Sequence, residues 1–255
     1  MSRALRRLRD SLLSLAYPEE CRVCGGSVES WDDGVACAEC WNDPTLTKIL
    51  TGGICAKCGA PMSPSMDISE SVSPEIGKRL CGRCTSAPFT AARACGVYSG
   101  ALEASILFLK VTPHICPRLK AILRNTFSEH RSELESDVVI PVPLHRLRER
   151  QRGFNQAGII AGQISRKFGL RLDDRTLIRV KPTERHRAGL DAADRSQSVK
   201  RAFEVVRPRL IDGFSVLLVD DVYTTGSTIC AAAQSLIDAG ARRVNVLTTA
   251  RAGYR

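Results

Sequence analysis

The stretch Val216-Leu217-Leu218-Val219 is apolar without alternation and stops at two adjacent carboxylates, Asp220 and Asp221. A short strand with no polar side is covered on both faces, the condition of a parallel sheet with helices packed on it. Behind the carboxylates comes a hydroxyl-rich turn with one glycine, Thr224-Thr225-Gly226-Ser227-Thr228, then a helical pattern from Ser227 to Ala239 that stops at Gly240. A helix start presents unpaired N–H groups and the positive end of its dipole, which suits a phosphate. Gly226 allows a close backbone approach or a positive φ. The hydroxyls add donors, and Ser227 or Thr228 is placed to cap the helix. Asp220 and Asp221 would repel a phosphate in that turn, so they are expected to face other donors, such as the vicinal hydroxyls of a ribose. The stretch is neither a Walker loop nor a Gly-x-Gly-x-x-Gly fingerprint.

From about Ala91 onward the chain alternates in the same manner. Strands are expected at Ala94 to Tyr98, Val138 to Ile140, Ser215 to Val219 and Val244 to Leu247. Helices are expected at Ala101 to Leu109 and at Gln156 to Phe168, the latter stopped by Gly169. This order predicts an α/β fold with a parallel sheet and flanking helices. Pro141 and Pro143 end one strand, and the residues that follow carry arginines at 146, 148, 150 and 152. Spacing by two does not fit one helix face, so an extended loop is predicted. Beside a strand end, its Arg150 and Arg152 can clamp a pyrophosphate; a solvated basic loop is the plain alternative. His145 lies in the same loop. Between Pro141 and Leu210 there are 17 Lys and Arg against 7 Asp and Glu, an excess equal to the +10 of the whole chain. Such a field draws phosphate-bearing partners, small or polymeric.

Eight of the eleven cysteines form four Cys-x-x-Cys pairs, at 21/24, 37/40, 55/58 and 81/84. Repeated pairs of this kind indicate metal rather than disulfides, and a reducing cytoplasm is the expected compartment. Taken in order, Cys21, Cys24, Cys37 and Cys40 match one four-cysteine zinc ribbon, and Cys55, Cys58, Cys81 and Cys84 match a second. Interleaved pairing fits the spacing as well. Sites filled by four thiolates are structural, so two structural zinc ions are expected. Gly25 and Gly59 stand where metal knuckles turn. This Gly-, Pro- and Ser-rich part, with a flexible insert expected over 62–76, needs a metal for its folding energy. Cys95, Cys116 and Cys230 are expected to be small buried side chains. Leu5, Leu8, Leu12 and Leu15 share one face of a short basic amphipathic helix. No apolar run approaches the roughly 20 residues of a membrane span.

The segment VLLVDDVYTTGST resembles, nearly residue for residue, the 5-phosphoribosyl-1-pyrophosphate (PRPP) signature of type I phosphoribosyltransferases. The resemblance implies that Asp220 and Asp221 hold the ribose hydroxyls, that Thr224, Thr225, Gly226, Ser227 and Thr228 cradle the 5′-phosphate, and that Mg²⁺ arrives mainly on the pyrophosphate of PRPP. Together with PVPLHR, RGFNQ and the upstream cysteine pairs, nearly the whole chain resembles the ComF family of competence-associated proteins. Lys110, Arg195 and the closing Leu247 to Arg251 match as well, whereas His186 and Ser198 stand where that family often has Gln and Asn. The implied organisation is a basic N-terminal helix and double zinc ribbon over 1–90, then a phosphoribosyltransferase-like domain over 91–255.

Two activities follow from the resemblance. In the first, the phosphoribosyl group passes to an unidentified acceptor with release of pyrophosphate. Asp220 and Asp221 are then the catalytic residues, Arg150 and Arg152 help to bind PRPP, Thr183 to Arg195 forms a closing lid, and Tyr223 sits where a ring can stack. In the second, the chain is a non-catalytic or PRPP-regulated protein that binds single-stranded DNA during uptake, beside DNA-processing proteins. Its low aromatic content, 5%, argues against extensive base stacking.

Overall fold

The computed structural model describes residues 19–44, 54–61, 80–181 and 202–252. The expected N-terminal helix, the insert over 62–76 and the lid over 183–195 all lie outside the described residues.

In chain order the elements begin with β1 (Glu19–Glu20), β2 (Ser27–Val28) and α1 (Ala38–Trp41). Then follow β3 (Ala91–Ala94), α2 (Gly100–Leu109), α3 (Pro117–Glu129) and β4 (Val138–Pro141). Next come α4 (Arg146–Arg152), α5 (Gln156–Phe168), β5 (Arg171–Leu172), β6 (Leu177–Arg179) and β7 (Phe203–Val205). The described chain closes with β8 (Ser215–Tyr223), α6 (Ser227–Asp238) and β9 (Arg243–Arg251).

Five strands form one parallel sheet in the order β3-β9-β8-β4-β5. The chain steps from β8 through α6 to β9 on one side, and from β4 through α5 to β5 on the other. The direction of winding therefore reverses between β8 and β4. In open α/β sheets the crevice at such a reversal, beyond the carboxyl ends of the strands, is where ligands sit.

Alternate residues of the central strands face opposite ways. Val138, Ile140, Val216, Leu218, Val244 and Val246 pack with Ile229, Ala232 and Leu236 of α6. Val139, Leu217, Val219 and Leu247 pack on the other face with Leu102, Leu119, Leu123, Ile160 and Ile164 of α2, α3 and α5. Each cysteine set joins a different face: Cys55, Cys58 and Cys84 belong to the first core, and Cys21, Cys37 and Trp41 to the second. The ribbons are thus built onto the sheet, with Arg93 donating to the Ala56 carbonyl at 3.0 Å and pairing with Glu133 at 2.6 Å.

Local signals explain several elements. Asn155 caps α5 by accepting from the Ala157 N–H at 3.0 Å, and Gly169, at φ 69°, ends it as expected. Pro117 opens α3 behind a Cys116 cap.

Four expectations need correction. The first strand is Ala91–Ala94, not Ala94 to Tyr98, because it is fixed by pairing with Asn245 to Thr248 of β9. Strand β8 does not stop at the carboxylates: it continues through both to Tyr223, whose partner is Arg251. The arginine segment is a helix, α4, rather than an extended loop. Its sequence Arg-Leu-Arg-Glu-Arg-Gln-Arg consists of strong helix formers, His145 Nδ1 accepts from the Leu147 N–H, and Gly153 closes it at φ 81°. Cys230 is only half-buried, while Cys95 and Cys116 are buried as expected. Burial pushes the Cys95 thiol up to about 12.

Candidate functional site

The carboxyl ends of β8 and β4 carry the expected phosphate turn and the arginine helix to the two sides of the crevice. Gly226 is the N-cap of α6 at φ 82°. Ser227 and Thr228, expected as caps, do not serve as one; the Ser227 N–H instead reaches Thr225 Oγ1 at 3.4 Å. Thr225 Oγ1 and Ser227 Oγ lie 2.9 Å apart, and Thr224, Thr225 and Ser227 face solvent. Glycine is required at 226 twice over. Its φ is costly for any side chain, and a Cβ there would stand 2.5 Å from the Tyr223 hydroxyl and 2.9 Å from Cζ. The Gly226→Ala substitution is therefore expected to cost about 2–4 kcal/mol. A drop in Tm of roughly 5–12 °C would show it in a thermal melt, and a shift under about 1 °C would refute the packing described.

Asp220 and Asp221 are half-buried. Burial, then the neighbouring Asp221 charge, raises the Asp220 carboxyl well above its usual range. Its Oδ1 accepts from the Asp221 N–H at 2.9 Å, and Asp221 Oδ1 accepts from Val222 N–H at 2.7 Å. Asp221 is the hub of a polar chain. Gln156 Nε2 donates to its Oδ2 at 3.2 Å, Arg152 donates to Gln156 Oε1, and Lys110 Nζ stands 4.0 Å from the same carboxylate. The structure therefore brings Arg152 to the carboxylates through Gln156. Arg150 is exposed on α4, outside that chain. In the helix, Arg146 and Arg150 share one side and Arg148 and Arg152 another, since residues four apart are neighbours.

Beside Lys110, two more polar residues of the site have no role assigned from sequence. Gln156 is buried between Arg152 and Asp221. Arg179, on β6, is disfavoured as a cation first by burial and then by Arg148, while Asp220 favours it. Only the fold brings β6, α4 and β8 together; the one local hint was the Asn155-Gln156 pair at the helix start. His145 is taken up in capping α4. Tyr223 points into the core rather than outward for stacking: it is buried, edge-on to Phe89 at 6.3 Å, because its place on β8 faces α6 and the second cysteine cluster.

The cysteines gather into Cys21, Cys24, Cys37 and Cys40, and into Cys55, Cys58, Cys81 and Cys84, with all sulfurs of each set within 4.8 Å of one another. Pairing is sequential, not interleaved. A tetrahedron with Zn–S of about 2.3 Å has edges near 3.8 Å. The Sγ–Sγ distances match that edge: 3.8 Å for Cys21 and Cys40, 3.7 Å for Cys24 and Cys37, and 3.7 Å for Cys58 and Cys81. These are the edges of a ligand cage rather than thiol hydrogen bonds. Both knuckles turn alike, with Gly25 and Gly59 at φ 76° and 68° donating to the carbonyls of Cys21 and Cys55 at 2.9 Å. Backbone N–H groups of Cys37 and Cys81 also point at Cys21 Sγ and Cys55 Sγ, at 3.2 and 3.3 Å. The donor set and its spacing fit zinc at both sites.

Among the described residues, no helix is long and apolar enough to cross a membrane. Comparison with known families matches residues 12–85 to the double zinc ribbon domain and residues 155–254 to the phosphoribosyl transferase domain. The DNA utilization protein YhgH of Salmonella typhimurium is 32% identical over 76% of this chain and 82% of its own length. That of Salmonella typhi is 30% identical over 81% and 94%. Competence protein F of Haemophilus influenzae is 37% identical over 51% of this chain and 56% of its own. With two four-cysteine zinc sites built onto the opposite faces of a parallel phosphoribosyltransferase-type sheet, and with these relatives, the chain belongs to the ComF family.

Proposed function

We propose that the crevice between β8 and β4 binds PRPP with Mg²⁺ and that the chain transfers its phosphoribosyl group to an acceptor. The observation that carries this reading is the placement of a glycine-capped helix start beside two carboxylates at the point where the sheet reverses its winding. The 5′-phosphate meets the N–H groups and hydroxyls of Thr224, Thr225, Gly226, Ser227 and Thr228. Asp220 and Asp221 accept from the ribose hydroxyls. Arg152, tied to Asp221 through Gln156, and the exposed Arg150 face the pyrophosphate. Mg²⁺, an oxygen-seeking cation carried by the pyrophosphate, supplies charge neutralisation of the leaving group. The protein contributes by positioning the ring carbon and by fixed charges around it. The bond from that carbon to pyrophosphate breaks as a bond to the acceptor forms. The domain boundary at 90 and 91 and a cytoplasmic location belong to the same reading.

A second reading is favoured by the names of the relatives, DNA utilization protein and competence protein, and by the positive excess over 141–210. In it the chain binds single-stranded DNA, with PRPP as its regulator and DNA-processing proteins as partners. Calorimetric titration of the zinc-loaded protein with PRPP and Mg²⁺ is the deciding experiment. Saturable binding at one site per chain supports the first reading and justifies a screen of acceptors. No binding by folded protein removes it. Salt-sensitive binding of an oligonucleotide would then leave the second.

A further inference from the structure

A largely apolar pocket of about 140 Å³ opens between the first zinc ribbon and helices α2 and α3. Val28, Val35, Phe108 and Leu119 wall it, and Trp31 lines it while 51% exposed. A cavity of about 150 Å³ takes one benzene ring, so this one suits one or two side chains rather than a nucleotide. Ser105 of α2 lines the pocket as well. It is 5% exposed, and its Oγ has no hydrogen-bond partner among the described residues. Burying a hydroxyl without a partner is costly, so this one marks where a polar atom of an occupant belongs. The pocket has a mostly acidic border. Glu19 lines it, and Glu29 and Asp32, neighbours in the chain of the lining residues Val28 and Trp31, are exposed. Two basic groups also stand there, His114 on the wall and Arg22, whose Cζ lies 5.0 Å from the Phe108 ring centroid. An exposed apolar patch with a polar border is the mark of a docking surface.

The chain itself supplies a segment of matching chemistry. Residues 1–18 lie outside the described residues, and they lead directly into Glu19 on the pocket. Leu5, Leu8, Leu12 and Leu15 recur at helical spacing, and by the same period Arg3, Arg6 and Arg7 fall on the opposite side. Four arginines within 3–9 complement the acids of the border. Pro18 disfavours helical backbone at Tyr17, so the helical pattern stops before that ring. Tyr17 is two residues from Glu19, a reach of at most about 7 Å along the chain. A tyrosine carries both an aromatic body for apolar walls and a hydroxyl for Ser105.

We propose that residues 1–18 dock on this pocket, with Tyr17 inserted so that its hydroxyl meets Ser105 Oγ, and with Leu12 and Leu15 against Trp31. The leucine face is then turned inward, and Arg3, Arg6 and Arg7 give the first ribbon a basic outer layer. The inference stands independently of the PRPP reading.

Trp31 reports on its own cover. The chain has two tryptophans, and Trp41 is buried, its indole N–H donating to the Asp33 carbonyl at 2.8 Å. The experiment is acrylamide quenching of tryptophan fluorescence in the full, zinc-loaded chain, with Trp31→Phe supplying the Trp41 background. Trp31 in the wild type should be quenched about threefold less than in a chain carrying Leu12→Asp and Leu15→Asp. Leu13→Asp lies off the leucine face and should leave the quenching unchanged. The bond to Ser105 is read by melting. Tyr17→Phe and Ser105→Ala should each lower Tm by about 1–5 °C, and the double variant by no more than either one. A Tm raised by Ser105→Ala would mean that the hydroxyl has no partner, and the insertion of Tyr17 falls. Freely quenched Trp31 in the wild type overturns the docking. So does shielding that survives Leu12→Asp with Leu15→Asp, and shielding that fades on dilution would assign the pocket to a second copy of the chain instead. If the aspartate variant does not fold, the wild-type quenching and the two conservative variants decide.

Discussion

Replacing Asp220 and Asp221 together by asparagine should abolish PRPP binding and make the protein more stable. Binding is lost because each carboxylate is assigned charge-assisted hydrogen bonds to ribose hydroxyls. Such bonds contribute about 1.5–3 kcal/mol apiece, so an affinity loss of at least about 100-fold is expected. Stability rises because the folded chain holds Asp220 against burial and against the charge of Asp221. The sign is fixed by linkage. A carboxyl raised above its unfolded value of 3.8 binds more protons folded than unfolded, so stability falls as pH climbs from that value through the raised one. The variant escapes this penalty at neutral pH, and its advantage fades as pH drops toward 3.8. Asparagine Oδ1 can still accept from the Asp221-position N–H, which keeps the local backbone bond. A gain of about 0.5–2 kcal/mol is typical where function has been bought with strain. Calorimetry with PRPP and urea melts at pH 5 and pH 8 check both halves. Binding retained within a few-fold would deny the carboxylates their ribose role, and a less stable variant at pH 8 would deny the strain.

Stripping zinc should lower Tm by more than about 10 °C, and the second site should account for most of the loss. Structural zinc contributes apparent free energies of about 10–16 kcal/mol in small zinc-finger peptides, where metal binding and folding are one event. Here Cys55, Cys58 and Cys84 are at most 2% exposed and share a core with Val138, Leu218 and Ile229. Emptying their cage therefore disturbs the sheet's own packing. In the first site Cys24 is exposed. Cys55→Ser should accordingly cost more stability than Cys24→Ser. Metal analysis, with two zinc ions per chain expected, and melts of both variants test this. Equal melts for loaded and stripped protein would mean that the clusters do not carry the fold.

The contrast between the two cysteine variants reflects how differently the two ribbons enter the molecule. Neither is an appendage. One helps to cover the α6 face of the sheet and the other the face of α2, α3 and α5. A covering that elsewhere would need more helix is supplied by short chain segments held by metal.

Much of this was legible in the sequence because its causes are local. Two thiolates at a Cys-x-x-Cys spacing fit one metal whatever surrounds them, so all eight ligands could be read directly. The continuous apolar run at Val216 to Val219 and the stop at Gly169 made the start of β8, the helix α5 and the parallel sheet readable, since periodicity and backbone sterics act over a few residues. Spacing by two misled at Arg146 to Arg152, where helix propensity and the stop at Gly153 outweighed the pattern of charges. What only the tertiary structure decided are the meetings across long separations. The sheet order set Gln156 against Asp221, brought Arg179 near Asp220, extended β8 to Tyr223, and laid Arg251 between Tyr223 and Cys58. No local rule sets these contacts, because each depends on which strands become neighbours, and that is settled by burying both faces of the sheet at once.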